Sequence, residues 1–153
     1  MKKFVSRDNK KSGMTLVELL IAAGILVLTL TGILVSYLAC LELAEISKNA
    51  STALHEVKSK IEEIQNTAFD QIEATYDQTI FTLAGFNGIG VSYVDASNSD
   101  LLLINMAFCW RQPNGRVIGE DKNLNGQLNP GEDQNGNGQI DSLVQIASQI
   151  FER

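Results

Sequence analysis

The sequence predicts an α+β protein in which one long N-terminal helix packs on a small antiparallel β-sheet. The helix is predicted by an apolar run that begins at residue 16, and by apolar residues that then recur at three- and four-residue steps to residue 64. No Pro or Gly interrupts residues 33–68. The sheet is predicted by β-rich apolar stretches after residue 67, separated by Gly, Asn and Pro turns. A length of 153 residues is typical of one globular domain.

A basic leader precedes the apolar run. Residues 1–13 contain five Lys or Arg and one Asp, whereas Glu18 is the only formal charge in residues 16–41. At 1.5 Å per residue the run is about 39 Å long, enough to cross the ~30 Å hydrocarbon core of a bilayer. Because positive flanks stay in the cytoplasm, we expect the leader on that side and the C-terminal domain in the periplasm or outside the cell.

The order of the leader, Gly13, Met14 and an early Glu18 resembles the type IV prepilin superfamily. An ordinary secretory signal has its cleavage site after the apolar region, whereas here the processing point precedes it. The resemblance implies removal of residues 1–13 after Gly13, N-methylation of Met14, and a role for Glu18 in attracting the N-terminal amine of a neighbouring subunit. It also implies a prepilin peptidase and other pilin or pseudopilin subunits as partners. The alternative for Glu18 is a lone glutamate favoured by the helix dipole.

One continuous helix is predicted over residues 14–66. Residues 14–41 form its transmembrane and assembly half, and residues 42–66 form its amphipathic half. The buried face of the second half is predicted to consist of Ile46, Ala50, Leu54, Val57, Ile61 and Ile64. Cys40 ends the apolar run and Cys109 lies in a strand-like stretch, so two separate thiols are expected rather than a disulfide.

Residues 67–153 are predicted to form a small β-rich domain. Within it, residues 67–100 are expected to be a packed loop with short strands, one of them at 90–94, and Leu101–Arg111 gives the clearest strand signal. Asn-Gly at 114–115 predicts a hairpin back into residues 116–118. Residues 143–151 fit both strand alternation and helical spacing. A strand is chosen, since pilin-like domains usually end on β structure.

A twelve-residue repeat occupies residues 119–142. Each copy places oxygen-bearing side chains at positions 1, 3 and 5, glycine at 6 and an aliphatic residue at 8, which is EF-hand calcium-loop spacing. The predicted ligands of the first loop are Asp121, Asn123, Asn125, the Gln127 carbonyl and Glu132. Those of the second loop are Asp133, Asn135, Asn137, the Gln139 carbonyl and Asp141.

One or two structural calcium ions are therefore predicted, pinning the C-terminal segment to the sheet. Val144 stands at position 12 of the second loop, so that site is expected to be weaker, with an oxygen shared from Glu132. The resemblance supports a structural role, because pseudopilins use calcium in their C-terminal loops. The alternative is a pair of Asn-Gly turns without an ion.

Charge and composition exclude two functional classes. Without the leader the chain has 7 Lys and Arg against 17 Asp and Glu, a net of −10, which argues against nucleic-acid binding. The sequence has no Ser/His/Asp or Cys/His arrangement, no HExxH and no phosphate loop, so an enzyme is not expected.

The favoured function is a structural minor subunit, a pilin or pseudopilin, of a type IV pilus or type II secretion filament. It would be anchored in the inner membrane by one span. The alternative is a membrane-anchored or pilus-tip module that recognises a partner through calcium.

Overall fold

The structure is a computed structural model that describes residues 14–152. The basic leader, with the expected cleavage glycine Gly13, lies outside the described residues. The chain divides into two compact units, Met1–Leu43 and Ala44–Arg153. The amphipathic half of the long helix therefore belongs to the same unit as the globular domain.

Helix α1 spans Leu16–Gln65, 50 residues in one piece, which confirms the prediction of a single long helix. In the first unit its large apolar side chains, together with that of Met14, are 49–76 % exposed. The hydroxyls of Thr29, Thr31 and Ser36 donate to helix carbonyls three or four residues earlier, at 2.8–2.9 Å. These three hydroxyls are thus satisfied within the helix, as a bilayer would require. By length and composition, α1 is the one helix within residues 14–152 able to cross a membrane.

The C-terminal part of α1 buries one face in the domain. Ala53, Val57, Ile61 and Ile64 are each at most 8 % exposed. The prediction of Leu54 on this face was wrong, because Leu54 is 37 % exposed. It lies about 100° around the helix from Ala53, and the buried stripe runs through Ala53 instead.

Helix α2, Phe69–Tyr76, and strand β1, Thr79–Phe81, follow α1. The prediction of loop and short strands did not include α2. Its buried residues, Ile72 and Tyr76, stand one helical turn apart, which is the local signal that sequence analysis overlooked. Tyr76 also ties α2 to α1, since its hydroxyl donates to Glu63 Oε1 at 3.1 Å.

The remaining strands are β2, Gly88–Asn98; β3, Leu101–Arg111; β4, Val117–Ile118; and β5, Val144–Phe151. All pair antiparallel, with β1 and β2 on one side of β3 and with β4 and β5 on the other. The predicted strand Leu101–Arg111, the hairpin after it and the C-terminal strand are confirmed. The strand predicted at 90–94 is longer on both sides, because β2 pairs along most of β3.

The two faces of the sheet carry different cores. On one face, Phe108 and Trp110 of β3 pack with the buried stripe of α1. On the other, Cys109 packs with Ile89, Val91 and Ile140. Successive residues of a strand point to opposite faces, so β3 divides the two cores. Cys40 and Cys109 are both free thiols, as expected.

Candidate functional site

The segment 119–142, called the loop repeat below, connects β4 to β5 without helix or strand. It covers the sheet face that α1 does not cover. Ile140 of the repeat is 1 % exposed in this second core, and Leu124 and Leu128 pack against the same cluster. The predicted calcium loops therefore pack against the apolar side chains on this face of the sheet.

The first loop is organised by hydrogen bonds from backbone N–H groups to its own side chains. Asp121 Oδ1 accepts from the N–H of Asn125 at 3.2 Å, and its Oδ2 accepts from the N–H of Gly126 at 2.7 Å. Asn123 Oδ1 accepts from Asn125 at 3.0 Å, and Asn125 Oδ1 accepts from the N–H of Gln127 at 2.8 Å. These bonds turn the oxygens of positions 1, 3 and 5 toward the inside of the loop.

The second loop repeats this pattern twelve residues later. Asp133 Oδ1 accepts from the N–H of Asn137 at 3.2 Å, and its Oδ2 accepts from the N–H of Gly138 at 3.0 Å. Asn135 Oδ1 accepts from Asn137 at 3.0 Å, and Asn137 Oδ1 accepts from the N–H of Gln139 at 2.8 Å. The sequence repeat is thus also a repeat of bonding.

Position 6 of each loop needs glycine for its backbone. Gly126 has φ of +74° and Gly138 has φ of +73°, in the left-handed region that other residues enter at a cost. A Cβ at Gly126 would also come within 2.5 Å of Ile80 Cδ1 in β1. At that position conformation and close packing both require glycine.

Three carboxylates of the repeat are buried. Glu120 is 8 % exposed, Asp121 0 % and Glu132 6 %. Burial alone would raise the pKa of the Glu132 carboxyl, but hydrogen bonds from Asn129, Lys122 and Asn123 outweigh it, so its pKa lies below the ordinary value. The Glu132 side chain is therefore held as the carboxylate, the form that binds cations.

Three of the five predicted ligands of the first loop converge on one amide nitrogen. Asn129 Nδ2 donates to Asn125 Oδ1 at 3.3 Å, to the Gln127 carbonyl at 3.0 Å and to Glu132 Oε2 at 3.1 Å. These three acceptors are the predicted ligands at positions 5, 7 and 12, and Asn129 stands at position 9. The structure therefore brings these oxygens together around a group with partial positive charge.

In the second loop the meeting point is Asp141. Its Oδ2 accepts from Asn135 Nδ2 and from Asn137 Nδ2, the latter at 2.9 Å. The Gln139 side chain is directed elsewhere, because its Oε1 accepts from Asn105 Nδ2 at 2.6 Å.

Within residues 14–152, no group of three or more His, Cys, Asp or Glu side chains is gathered closely enough to hold a metal ion. Any cation site here would therefore depend on amide and backbone oxygens as well.

Two residues that organise the repeat were missed by the sequence analysis. Tyr93 of β2 accepts a hydrogen bond from the Ile140 N–H at 3.0 Å, a contact across 47 positions that no local pattern predicts. Glu120 accepts from the N–H groups of Gln134 and Asp141 at 3.0 and 3.1 Å. A signal for Glu120 was present, since Gly-Glu precedes the first aspartate of each loop.

At the other end of the chain, Thr15 precedes the first turn of α1. Its Oγ1 accepts a hydrogen bond from the N–H of Glu18 at 3.3 Å, the geometry of an N-terminal cap. Glu18 lies in the first turn, where the helix dipole favours a negative charge. Glu18 therefore lies where the helix dipole alone would favour a carboxylate, and its role in assembly stays a prediction.

The exposed apolar half of α1 and its early glutamate define a protein built to be held in a membrane or among other helices. Residues 8–34 match the family model described as the prokaryotic N-terminal methylation motif. The chain therefore carries a type IV prepilin-like N-terminus, and the motif indicates a pilin- or pseudopilin-like prepilin, a structural class rather than an enzymatic one. Neither the curated proteins nor the solved structures include a match to this chain.

Proposed function

We propose that the protein is a minor structural subunit, a pilin or pseudopilin, of a type IV pilus or type II secretion filament. The observation that carries this proposal is the methylation motif over residues 8–34. It is supported by the 49–76 % exposure of the apolar side chains that follow. Such a surface is stable in water only when lipid or other helices cover it. A filament core of packed helices supplies that cover after the subunit leaves the bilayer.

Processing would create the charge that Glu18 needs. Cleavage after Gly13 by a prepilin peptidase leaves the α-amino group of Met14 four residues before Glu18, and N-methylation keeps that amine positive. A carboxylate in an apolar helix costs several kcal/mol unless it has a partner. In the proposed assembly the Met14 amine of a neighbouring subunit is that partner.

The intact mass of the chain purified from its native membrane tests this proposal. We expect loss of residues 1–13 and the added mass of one methyl group. A chain that still begins at Met1 would contradict the filament role and leave a membrane-anchored protein of another kind.

A pair of variants then separates assembly from processing. Glu18→Gln is expected to be cleaved and methylated normally but to be depleted from sheared filaments, because the amine loses its carboxylate partner. Glu45→Gln removes the same charge from an exposed position farther along α1 and serves as the control. Equal incorporation of both variants into filaments would leave Glu18 only as a carboxylate that the helix dipole favours.

We also propose that the loop repeat binds one or two calcium ions that stabilise the domain. The donors fit calcium, a hard cation that prefers carboxylate, amide and backbone oxygens. Bound calcium would supply positive charge to carboxylates of the repeat that form no salt bridge with a Lys or Arg side chain among residues 14–152. The proposed ligands are Asp121, Asn123, Asn125, the Gln127 carbonyl and Glu132 in the first loop, and Asp133, Asn135, Asn137, the Gln139 carbonyl and Asp141 in the second.

In this proposal calcium fixes the connection between β4 and β5. The repeat contains no helix or strand. Its turns are held by hydrogen bonds from its own backbone N–H groups to its own side-chain oxygens. Because the unfolded segment offers no preformed site, binding of the ion to the folded repeat would stabilise the folded state, and its charge would oppose carboxylate repulsion. β5 would then be held in register on β3.

Calcium titration of the unfolding temperature tests this role and its alternative. We expect chelation to lower the unfolding temperature of the domain, and Glu132→Gln to be destabilised even in excess calcium. If instead Glu132→Gln folds normally but loses calcium-dependent binding to a partner, the repeat is a recognition site of an adhesive or pilus-tip module. Magnesium is the control cation, since it demands a smaller octahedral site.

A further inference from the structure

The region around the β3–β4 hairpin carries a group of basic side chains in an acidic chain. Arg111, Arg116 and Lys122 are three of the seven Lys and Arg residues that follow the leader, against 17 Asp and Glu. All three are exposed. The Arg111 guanidinium connects the group, since it donates to the carbonyls of Gly115 and Lys122 at 3.2 Å each. These three basic residues are called the basic end below.

The basic end has no carboxylate bound to it by a salt bridge among residues 14–152. Residues 101–119 contain no Asp or Glu. The acids of the adjoining loop, Glu120, Asp121 and Glu132, are at most 8 % exposed. The charge that this part of the domain presents to solvent is therefore positive.

The opposite end of β3 is acidic. Residues 61–110 contain seven Asp and Glu and no Lys or Arg. Asp100 directly precedes β3, and Asp95 of β2 pairs with Leu103 near the start of that strand. Glu152 donates its backbone N–H to the Asp100 carbonyl at 3.1 Å, and Glu152 and Asp70 line one groove. The exposed carboxylates Asp70, Asp95, Asp100 and Glu152 are called the acidic end below.

The two ends lie too far apart to neutralise each other within one domain. They are separated by β3, which spans Leu101–Arg111, 11 residues, and is therefore about 34 Å long at about 3.4 Å per residue. Exposed charges farther apart than the Debye length, about 8 Å at physiological salt, are largely screened from each other. Each end is thus a surface of one sign whose complement is present on every other copy of the chain.

We infer that the basic end of one copy docks on the acidic end of a second copy of this chain. The contact is head-to-tail, because it joins two different surfaces of the same molecule. Such a contact requires no two-fold axis, so both copies keep one orientation, as α1 requires in a membrane. Repeated, it produces a ring or an open helical chain of subunits. The inference concerns contact between copies and goes beyond the proposed filament role.

Sedimentation of the full chain in nonionic detergent tests this contact. The unmodified chain is expected to associate at about 0.1 M salt and to dissociate at about 1 M, because the Debye length falls from about 10 Å to about 3 Å. Arg116→Glu with Lys122→Glu reverses two charges of the basic end. Asp100→Lys with Glu152→Lys reverses two charges of the acidic end. Each double variant should raise the dissociation constant at least about tenfold, since charge complementarity is lost.

A mixture of the two double variants tests the head-to-tail geometry. Each variant keeps one unmodified end, so the mixture should form a dimer that stops at two copies, with the affinity of the unmodified contact. Lys48→Glu with Lys58→Glu makes the same change in net charge as the basic-end variant, at exposed positions of α1. This control should associate like the unmodified chain. The fluorescence of Trp110, buried in the core, verifies that each variant is folded.

A second measurement needs no variant. A carbodiimide condenses an amine with a carboxylate that touches it and leaves no spacer between them. In the associated, unmodified chain, peptide mass should show Lys122 joined to Asp100 or Glu152. Because these residues lie at opposite ends of β3, such a link forms only between copies. An associated chain without this link would overturn the inference.

Three results of sedimentation would also overturn it. A full chain that stays monomeric at about 0.1 M salt has no such contact. Association that persists in both double variants comes from another surface, such as the apolar half of α1. A mixture of folded, monomeric variants that forms no dimer would show that the two ends do not meet each other. None of these results bears on cleavage after Gly13, whose absence would contradict the filament role alone.

Discussion

Tyr93→Phe is expected to destabilise the domain by disconnecting the loop repeat from β2. The Tyr93 hydroxyl accepts the hydrogen bond of the Ile140 N–H at 3.0 Å, and Ile140 is 1 % exposed. Phenylalanine keeps the ring and removes only the acceptor, so a buried N–H is left without a partner. Such a group costs about 1–3 kcal/mol.

Thermal unfolding measures this change directly. A loss of 1 kcal/mol lowers the midpoint of a domain of this size by about 4 °C or more, so the midpoint should fall by about 4–12 °C. The chain has one tryptophan, Trp110, which is fully buried in the core beside α1. Its fluorescence therefore reports unfolding of the domain in the full chain in detergent, at saturating calcium.

Tyr37→Phe is the matched control, since it removes the same hydroxyl from the first unit. Its midpoint should equal that of the unmodified chain. If the free energy of unfolding of Tyr93→Phe lies within about 0.5 kcal/mol of that of the unmodified chain, the Tyr93 hydroxyl does not anchor the repeat. The repeat would then be held on the sheet by apolar packing and by its other hydrogen bonds, such as that from Ser142 to the Phe108 carbonyl.

Three further results are expected. Gly90→Ala should cost about 1–3 kcal/mol in denaturant unfolding, because its Cβ would come within 2.2–2.6 Å of the Phe81 ring. The hydrogen bond from Lys60 lowers the pKa of Glu63, so Glu63 stabilises the fold above pH 4.5 and loses this effect as the pH falls. Glu63→Gln should therefore flatten the decrease of stability in acid, and an unchanged slope would contradict the ion pair. Burial raises the pKa of the Cys109 thiol, so iodoacetamide should label it slowly in calcium and faster after chelation, as measured by peptide mass.

The parts of the fold that sequence predicted are those fixed by local patterns. The single helix α1 follows from an apolar run joined to a helical period, and Leu101–Arg111 follows from its β-rich composition. The eight-residue helix α2 has only two buried positions, Ile72 and Tyr76. Two apolar positions one helical turn apart are too few to indicate a helix when the residues around them are polar. Tertiary packing therefore decided the segment that local propensity left open.

The contacts of the candidate site also divide into local ones, which the sequence could indicate, and contacts between distant residues, which it could not. The oxygens at positions 1, 3 and 5 were predictable, because each accepts N–H groups from residues two to five positions later. The contacts of Tyr93 and Glu120 span 47 and 14–21 positions. No spacing rule reaches across such separations, so Tyr93 became visible only in the folded chain, whereas Glu120 had a sequence signal in the repeated Gly-Glu-Asp triplet but no sign of its partners.

Strand β3 links the two halves of the proposed function. Phe108 and Trp110 face the α1 side, whereas Cys109 between them faces the loop repeat. Ser142 at the end of the repeat donates a hydrogen bond to the Phe108 carbonyl at 2.6 Å, just before the chain enters β5. Loosening of the repeat would therefore uncover the Cys109 face and free β5, and because Val144 of β5 belongs to the α1 core, that core would also lose part of its packing. Calcium in this arrangement would act mainly on β5 and the second core, and its removal should leave α1 helical while the β5 amides lose protection from hydrogen exchange.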